Sequence, residues 1–209
     1  MTRTFAIAAG VAVCALLAGT AAYMIGAQRG DRFAQCYGEG TGRGTDAIGG
    51  PFTLTRHDGA EVTEAEVVEG LTLVYFGYTF CPDVCPFDVV RNAEAVELAE
   101  EDGAIVRPVF VTVDPERDTA EVMADYVGAM HPRMVGLTGT EDQVETAKKA
   151  YSVYAARAAG TGGADEHYLV DHTTLSYLMH PDEGSIAFFR REVSPEDMAS
   201  RLSCFSEAI

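Results

Sequence analysis

The sequence predicts a mixed α/β fold, with helices on both faces of a sheet, behind an apolar N-terminal helix. Short apolar runs typical of strands alternate with segments of helical periodicity, which indicates strands connected by helices. Two further runs near the C-terminus enclose a turn and add a hairpin to the sheet. The composition agrees, because 47% hydrophobic and 22% charged residues among 209 exclude a collagen, a coiled coil and a wholly disordered chain.

The first predicted elements of the sheet are a strand, a helix and a second strand. The run Leu-Thr-Leu-Val-Tyr at 71–75 has the composition of a buried strand. A helix follows over 86–101, since apolar side chains recur there every three or four positions. The run Arg-Pro-Val-Phe-Val-Thr-Val at 107–113 is a second strand, which Asp114-Pro115 ends.

The middle of the chain predicts two more helices and a short strand. The first of these helices covers 119–130, with Asp118 as its N-cap and Glu121 three positions later, as in a capping box. Residues 134–137 form the short strand. The second helix covers 141–157, where apolar and aromatic residues follow one side.

The C-terminal elements are the hairpin and a last helix. Strands are predicted over 168–179 and 185–189, joined by the turn Pro-Asp-Glu-Gly at 181–184. The last helix covers 195–205 and begins at a proline, a residue favoured at the first helical position.

The N-terminus predicts a transmembrane anchor helix. No charged residue lies between Thr4 and Gln28, and residues 5–27 are 23 mostly apolar residues, enough to cross a bilayer. A cleaved signal peptide is the rival interpretation; we favour an uncleaved anchor because the apolar run continues past the small residues at 18–22. Either interpretation exports the rest of the chain, most simply from the bacterial inner membrane into the periplasm.

The exported part divides into a tether and a domain. Six glycines between 38 and 50 indicate a flexible link. We therefore expect an anchor over 1–30, a Gly-rich tether over 31–50 and the α/β domain over 51–209. Residues 31–209 carry 13 basic and 32 acidic side chains, a net charge of −19. Such a charge repels phosphate, so we expect no nucleic-acid partner.

Two cysteines lie at the turn between the first predicted strand and the first predicted helix. In Cys-Pro-Asp-Val-Cys-Pro, Cys81 and Cys85 are four residues apart, so a turn can direct both sulfurs to one point. Pro86 suits a first helical position, which predicts a loop over 81–85 that ends where the helix begins. A helix N-terminus favours thiolates, which are preferred ligands of soft copper. A strand that runs into such a turn and a helix is the thioredoxin-like arrangement.

Two other interpretations of this cysteine pair stay open. A structural disulfide suits an exported domain. A redox-active pair would make the protein a thiol-disulfide reductase, although three residues separate the cysteines here and two separate those of a thioredoxin-type site.

Two thiolates leave a copper ion under-coordinated, so we looked for a third donor. His172, in Val-Asp-His-Thr at the entry to the hairpin, is the candidate, because the loop before this strand faces the cysteine turn in a thioredoxin-like sheet. Redox enzymes of that fold usually place a cis-proline there, whereas no proline lies between Pro132 and Pro181. Asp171 could orient the imidazole. The weaker candidates are the other histidines, His57, His131, His167 and His180.

Four motifs together resemble the Sco/SenC family of copper proteins. The run Phe-Gly-Tyr-Thr-Phe-Cys-Pro-Asp-Val-Cys-Pro at 76–86 is similar to the family signature. Three further stretches follow in the family's order: Val-Asp-Pro-Glu-Arg-Asp-Thr at 113–119, Gly-Leu-Thr-Gly at 136–139 and Tyr-Leu-Val-Asp-His-Thr at 168–173. The N-terminal anchor and Gly-Pro-Phe at 50–52 also agree, so the resemblance covers nearly the whole chain.

The resemblance implies a thioredoxin-like domain on one membrane anchor, with copper, as Cu(I), Cu(II) or both, bound by Cys81, Cys85 and His172. It also implies a partner, the copper-binding subunit of cytochrome c oxidase, whose dinuclear copper centre the family helps to assemble. We therefore predict a metallochaperone rather than an enzyme, supplied by an upstream copper donor. Family members differ between copper delivery, reduction of the oxidase's cysteines and redox or copper sensing, and these alternatives stay open.

Two cysteines remain outside the proposed site. Cys36 lies in the predicted tether and Cys204 near the end of the last helix. Two leftover cysteines in an oxidising compartment suggest a disulfide bond, and two free thiols are the alternative.

Overall fold

The computed structural model describes residues 16–17, 19–20, 31–159 and 168–209. The predicted anchor over 5–27 therefore lies almost entirely outside the described residues, as does His167. Within the described part of the chain, we find no helix with the length and apolar character needed to span a bilayer. The chain divides into two units, Met1–Gln35 and Cys36–Ile209. In the first unit the four described residues between 16 and 20 are helical, and the Asp31 carboxylate accepts a hydrogen bond from the Phe33 N–H.

The second unit is built on a mixed eight-stranded sheet, which confirms the predicted α/β class. Its strands lie in the order β1-β10-β9-β4-β5-β6-β2-β3. The three strands β4, β5 and β6 are parallel, and every other pair in this sheet is antiparallel. The strands are β1 (Thr41–Arg43), β2 (Thr53–Arg56), β3 (Glu61–Thr63), β4 (Thr72–Gly77), β5 (Arg107–Thr112), β6 (Val135–Thr138), β9 (Ser176–His180) and β10 (Gly184–Phe189).

Among the described residues of this unit, five helices and a small second sheet accompany the main sheet. The helices are α1 (Glu64–Val67), α2 (Val84–Glu101), α3 (Ala120–Met130), α4 (Glu141–Ala150) and α5 (Pro195–Ala208). Helix α2 follows β4 and packs against α5. The second sheet pairs β7 (Ala155–Arg157) with β8 (Val170–His172) in antiparallel register.

Strand β4 forms the centre of the core. All six of its residues are buried, because β5 and β9 cover its two edges and helices cover the sheet. Tyr75 and Phe76 are no more than 2% exposed. Burial of each such side chain contributes about 1.5–3 kcal/mol. The apolar run that predicted this strand is therefore the feature that fixes the position of the cysteine loop, which follows directly after Gly77.

The predicted helix over 141–157 is too long. Helix α4 ends at Ala150, and Ser152 adopts a left-handed backbone conformation with φ +52°. After this turn, residues 155–157 form β7. The aromatic spacing was misleading, because Tyr151 is fully buried whereas Tyr154 is 63% exposed. A helix could not direct the chain back to pair with β8.

The predicted strand over 168–179 is two strands. Its first part, β8, leaves the main sheet and pairs with β7, and its second part, β9, pairs with β4 and β10. The break between them places His172 at the end of β8, outside the main sheet.

The segment predicted as a tether contributes to the folded domain. Strand β1 pairs with β10 at the edge of the main sheet, and the Gly44 N–H donates to the Ile186 carbonyl. A Cβ on Gly42 would lie 2.0 Å from the Phe188 ring. On Gly44 it would lie 1.9 Å from the Ser185 carbonyl oxygen. These glycines permit close packing, so residues 41–43 are part of the sheet and Gly44 lies against it.

The disulfide bond suggested by the sequence is present. Cys36 and Cys204 are bonded, with their Cα atoms 5.5 Å apart. It joins the start of the second unit to α5. Cys81 and Cys85 are free thiols.

Candidate metal centre

Three chain segments bring the predicted ligands together. Cys81 lies in the loop after β4, Cys85 in the first turn of α2, and His172 at the end of β8. One ligand atom from each residue lies within 4.8 Å of the others. Both cysteines are buried and the histidine is half-buried. The three residues predicted as ligands thus form one cluster.

Helix α2 begins earlier than the sequence predicted. Pro86 was expected to keep Cys85 outside the helix, but α2 starts at Val84 and Pro86 is its third residue. A proline fits there because N–H groups in the first turn have no carbonyl partner within the helix. The Cys85 N–H instead donates to the Cys81 sulfur at 3.3 Å. The Cys81 sulfur thereby occupies the positive end of the helix.

The two thiols differ in acidity. A hydrogen bond from the Cys85 thiol is the main cause that lowers the pKa of Cys81 to about 3, and backbone N–H groups add to the effect. The same hydrogen bond, together with burial, raises the pKa of Cys85 above its ordinary value. Without metal, Cys81 therefore carries the thiolate and Cys85 keeps its proton. A metal that binds both sulfurs must displace that proton.

The imidazole of His172 is held in the tautomer that a metal needs. Its Nδ1 lies 2.9 Å from the Thr173 carbonyl oxygen, which only accepts, so Nδ1 carries the proton. The lone pair of Nε2 is then directed towards the cysteines, with Nε2 3.2 Å from the Cys85 sulfur. The Thr173 carbonyl thus has the orienting role considered for Asp171, whose side chain is exposed.

Two tyrosine rings lie against the histidine. The rings of Tyr75 and Tyr78 meet the His172 ring edge-on, with centroids 6.3 and 5.9 Å away. The Tyr78 hydroxyl accepts a hydrogen bond from the Val170 N–H, which fixes the start of β8. Burial raises the pKa of Tyr78 to about 12, so its phenol stays protonated. The Tyr75 hydroxyl donates to Asp88 on α2 at 2.9 Å.

Asp118 supports the cysteine loop through hydrogen bonds to Thr79, a role that the sequence did not predict. It was expected to cap helix α3, but the cap is Thr119, whose hydroxyl accepts from the Val122 N–H. The buried Asp118 carboxylate accepts hydrogen bonds from the Thr79 N–H, the Thr79 hydroxyl and the Thr112 hydroxyl. Burial raises the pKa of Asp118 despite these donors. The contacts connect the end of β5 to the residue two positions before Cys81.

The remaining described histidines lie outside the cluster. His57 accepts a hydrogen bond from the Gly136 N–H through Nδ1, and buried His131 accepts one from the Arg133 N–H. His180 accepts one from the Asp182 N–H at the hairpin turn. The His57 ring therefore bridges to β6, whereas the His131 and His180 rings have structural roles within their own segments.

The donor set fits a soft transition metal. Two cysteine sulfurs and an unprotonated imidazole nitrogen are ligands that copper accepts readily. The orienting hydrogen bond at Nδ1 is the usual support of a metal-bound imidazole. Three protein ligands also leave room for one further donor from outside the chain.

Comparison with known proteins supports this interpretation. The family model SCO1/SenC matches residues 40–207. Protein SenC of Rhodobacter capsulatus is 45% identical over 209 residues, which are 100% of this chain and 92% of that protein.

Two solved structures with the same fold contain copper. Arabidopsis thaliana ScoI with copper bound has a TM-score of 0.70 and 35% identity, over 77% of this chain and 99% of that one. Bradyrhizobium japonicum ScoI with copper bound has a TM-score of 0.66 and 37% identity, over 74% of this chain and 97% of that one.

Proposed function

Since this chain belongs to the SCO1/SenC family, as its motifs predicted, we propose that it is a copper metallochaperone. Copper is its cargo, held by Cys81, Cys85 and His172. The acceptor is the copper-binding subunit of cytochrome c oxidase, whose dinuclear copper centre the protein helps to assemble.

The observation that carries this proposal is the orientation of the third ligand. Thr173 fixes the proton of His172 on Nδ1, which leaves Nε2 available beside two sulfurs that come from another part of the chain. The imidazole nitrogen adds a third donor to the two sulfurs, which two thiols alone would not give a copper ion. Three ligands and one open side favour ligand exchange, in which the acceptor's thiolates and imidazoles replace those of the donor one at a time.

The location we propose is the bacterial inner membrane, with the second unit in the periplasm. The uncharged stretch over 5–27 would anchor the chain. The Cys36–Cys204 disulfide supports an oxidising compartment, because such bonds are rare in the bacterial cytoplasm.

A metal titration of the full chain in detergent tests the proposal. The reduced wild-type chain should bind one copper, as Cu(I) or Cu(II), through two sulfurs and one imidazole nitrogen, as measured by X-ray absorption. His172→Ala should weaken binding strongly, whereas His57→Ala is the matched control and should bind as the wild type does. Unchanged affinity and spectrum in His172→Ala would show that the third ligand is assigned wrongly.

A thiol-disulfide reductase is the second candidate, favoured by the proximity of the two sulfurs. Oxidation of Cys81 and Cys85 to a disulfide would supply two electrons and two protons to a target disulfide and leave it as two thiols. Such a reaction needs the dithiol but not the imidazole. Cells with His172→Ala as their only copy therefore separate the two functions: normal oxidase activity at low copper, beside a Cys81→Ser strain that fails, would favour the reductase.

A further inference from the structure

Exposed apolar side chains are concentrated around the three proposed ligands. Among the described residues of Cys36–Ile209, seven large apolar side chains are exposed, and five of them lie on the segments that carry or pair with the ligands. Two lie elsewhere, Ile105 before β5 and Ile209 at the C-terminus. The five, which we call the apolar rim, are Phe80, Phe87, Val90, Tyr154 and Leu169.

On the cysteine side the rim is formed by the loop and the first turns of α2. Phe80 directly precedes Cys81 and is 54% exposed, with the Arg117 guanidinium 5.0 Å from its ring. Phe87 and Val90 are 69% and 52% exposed and share the outer side of α2. Helical side chains lean towards the helix N-terminus, so Phe87 extends over the turn that contains the cysteine loop.

On the histidine side the rim continues on the small sheet. Two hydrogen bonds join Tyr154 to Thr173. The Thr173 N–H donates to the Tyr154 carbonyl, and the Tyr154 N–H donates to the Thr173 hydroxyl. Its ring is 63% exposed beside the residue that orients His172. The rim therefore has members on both sides of the cluster, on elements far apart in sequence.

Acidic side chains accompany the rim. Asp83, Glu94 and Asp171 are exposed near it. Within the described residues, none of the three forms a short ion pair, and Asp83 interacts only through its charge with Arg191. The whole of 31–209 adds a net charge of −19. A partner with basic side chains around an apolar surface would be attracted by this charge, whereas an anionic lipid surface would be repelled.

From this arrangement we infer that the apolar rim is the docking surface for the copper acceptor, a protein whose copper ligands lie within an apolar surface edged by Lys and Arg. The inference rests on the proposed function. Ligand exchange requires the acceptor's donor atoms to reach the ion, and Cys81 is only 8% exposed, so the acceptor must lie against the residues around it. The three rings of the rim are 54–69% exposed, so together they provide the apolar part of a small, transient interface.

The test uses the full chain in lipid nanodiscs and the apo copper-binding domain of the oxidase subunit from the same organism. Binding between the two proteins is measured by calorimetry, and copper transfer by the spectrum of the loaded acceptor. Phe87→Ser and Tyr154→Ser, on opposite sides of the site, should each weaken binding about tenfold or more, as expected for buried aromatic residues at an interface centre. Ile105→Ser, 63% exposed in the wild type but outside the rim, is the matched control and should bind as the wild type does.

A small chelator separates docking from copper release. Transfer of Cu(I) to bathocuproine disulfonate needs no protein surface, so Phe87→Ser should lose copper to it as fast as the wild type. Raising the salt concentration should weaken binding of the acceptor domain, because the acidic groups then attract it less.

The outcomes distinguish the two proposals. Binding without copper transfer would overturn the proposed function and leave the docking surface intact. Transfer that Phe87→Ser and Tyr154→Ser do not slow, or equal weakening by Ile105→Ser, would overturn the docking surface alone. A wild-type chain that does not bind the acceptor domain would overturn it too. So would sedimentation showing that the rim joins two copies of this chain.

Discussion

Removal of the Cys36–Cys204 disulfide should lower the stability of the domain by an amount that follows from the chain length it encloses. The bond joins residues 168 positions apart. Closing a loop of that length removes conformational entropy from the unfolded chain worth about 5 kcal/mol at 25 °C. The variant Cys36→Ser/Cys204→Ser leaves no unpaired thiol at either position, so the comparison reports the cross-link.

The measurement is guanidinium unfolding of the full chain in detergent, followed by circular dichroism, since the sequence contains no tryptophan. A loss of about 5 kcal/mol in a domain of this size corresponds to a fall in Tm of about 10–20 °C. Copper binding by the folded variant should be unchanged, because neither residue belongs to the cluster of Cys81, Cys85 and His172. The wild type with reductant is the control and should show the same loss of stability. A change in the free energy of unfolding below about 1 kcal/mol would refute the argument that this bond restricts the unfolded chain.

Three further predictions concern the support of the site, the glycines and the thiols. Asp118→Ala should destabilise the fold by about 2–4 kcal/mol and weaken copper binding, because it leaves the buried donors of Thr79 and Thr112 unpaired. A copper titration and an unfolding curve measure these two effects. Wild-type values in both would contradict the supporting role of Asp118. Gly44→Ala should lower the free energy of unfolding by about 1–3 kcal/mol, since its Cβ would overlap the Ser185 carbonyl. In contrast Gly70→Ala, with open space around the added methyl, should be nearly neutral by thermal unfolding, and equal effects would mean that the close approach at Gly44 is unimportant. Because the pKa of Cys81 is lowered to about 3, its thiolate is already formed at pH 5. Iodoacetamide should therefore alkylate Cys81 of the metal-free chain at a rate that is nearly constant from pH 5 to 8, as measured by peptide mass spectrometry. A rate that rises tenfold per pH unit would contradict this low pKa.

Local sequence was sufficient for most of the secondary structure around the site. The apolar run at 71–75 predicted β4, and the run at 107–113 predicted β5 to within a residue at its end. Prediction from local sequence failed where contacts with distant residues override the local preference. Residues 155–157 have helical periodicity with the preceding helix, yet they form β7 because β8 offers them a pairing partner.

The roles of two glycines and of a buried aspartate also depend on contacts with distant residues. The glycines before residue 50 were interpreted through their backbone freedom, but Gly42 and Gly44 are needed because Phe188 and Ser185 lie against them. Asp118 has the sequence context of a helix cap, and only the folded chain shows that Thr79 and Thr112 surround its carboxylate.

By itself, the sequence predicted the two candidate sulfur ligands, the thioredoxin-like strand, loop and helix, and the family, because the motifs behind them are runs of residues that are neighbours in the chain. The tertiary structure decided which nitrogen of His172 is available and that Tyr75 and Tyr78 hold its ring. It also decided that exposed aromatic residues from separate segments surround the cluster. Cys85 and His172 are 87 residues apart. Contacts across such a distance arise because β8 residues meet Cys85 on α2 and Tyr78 after β4, which no local propensity specifies.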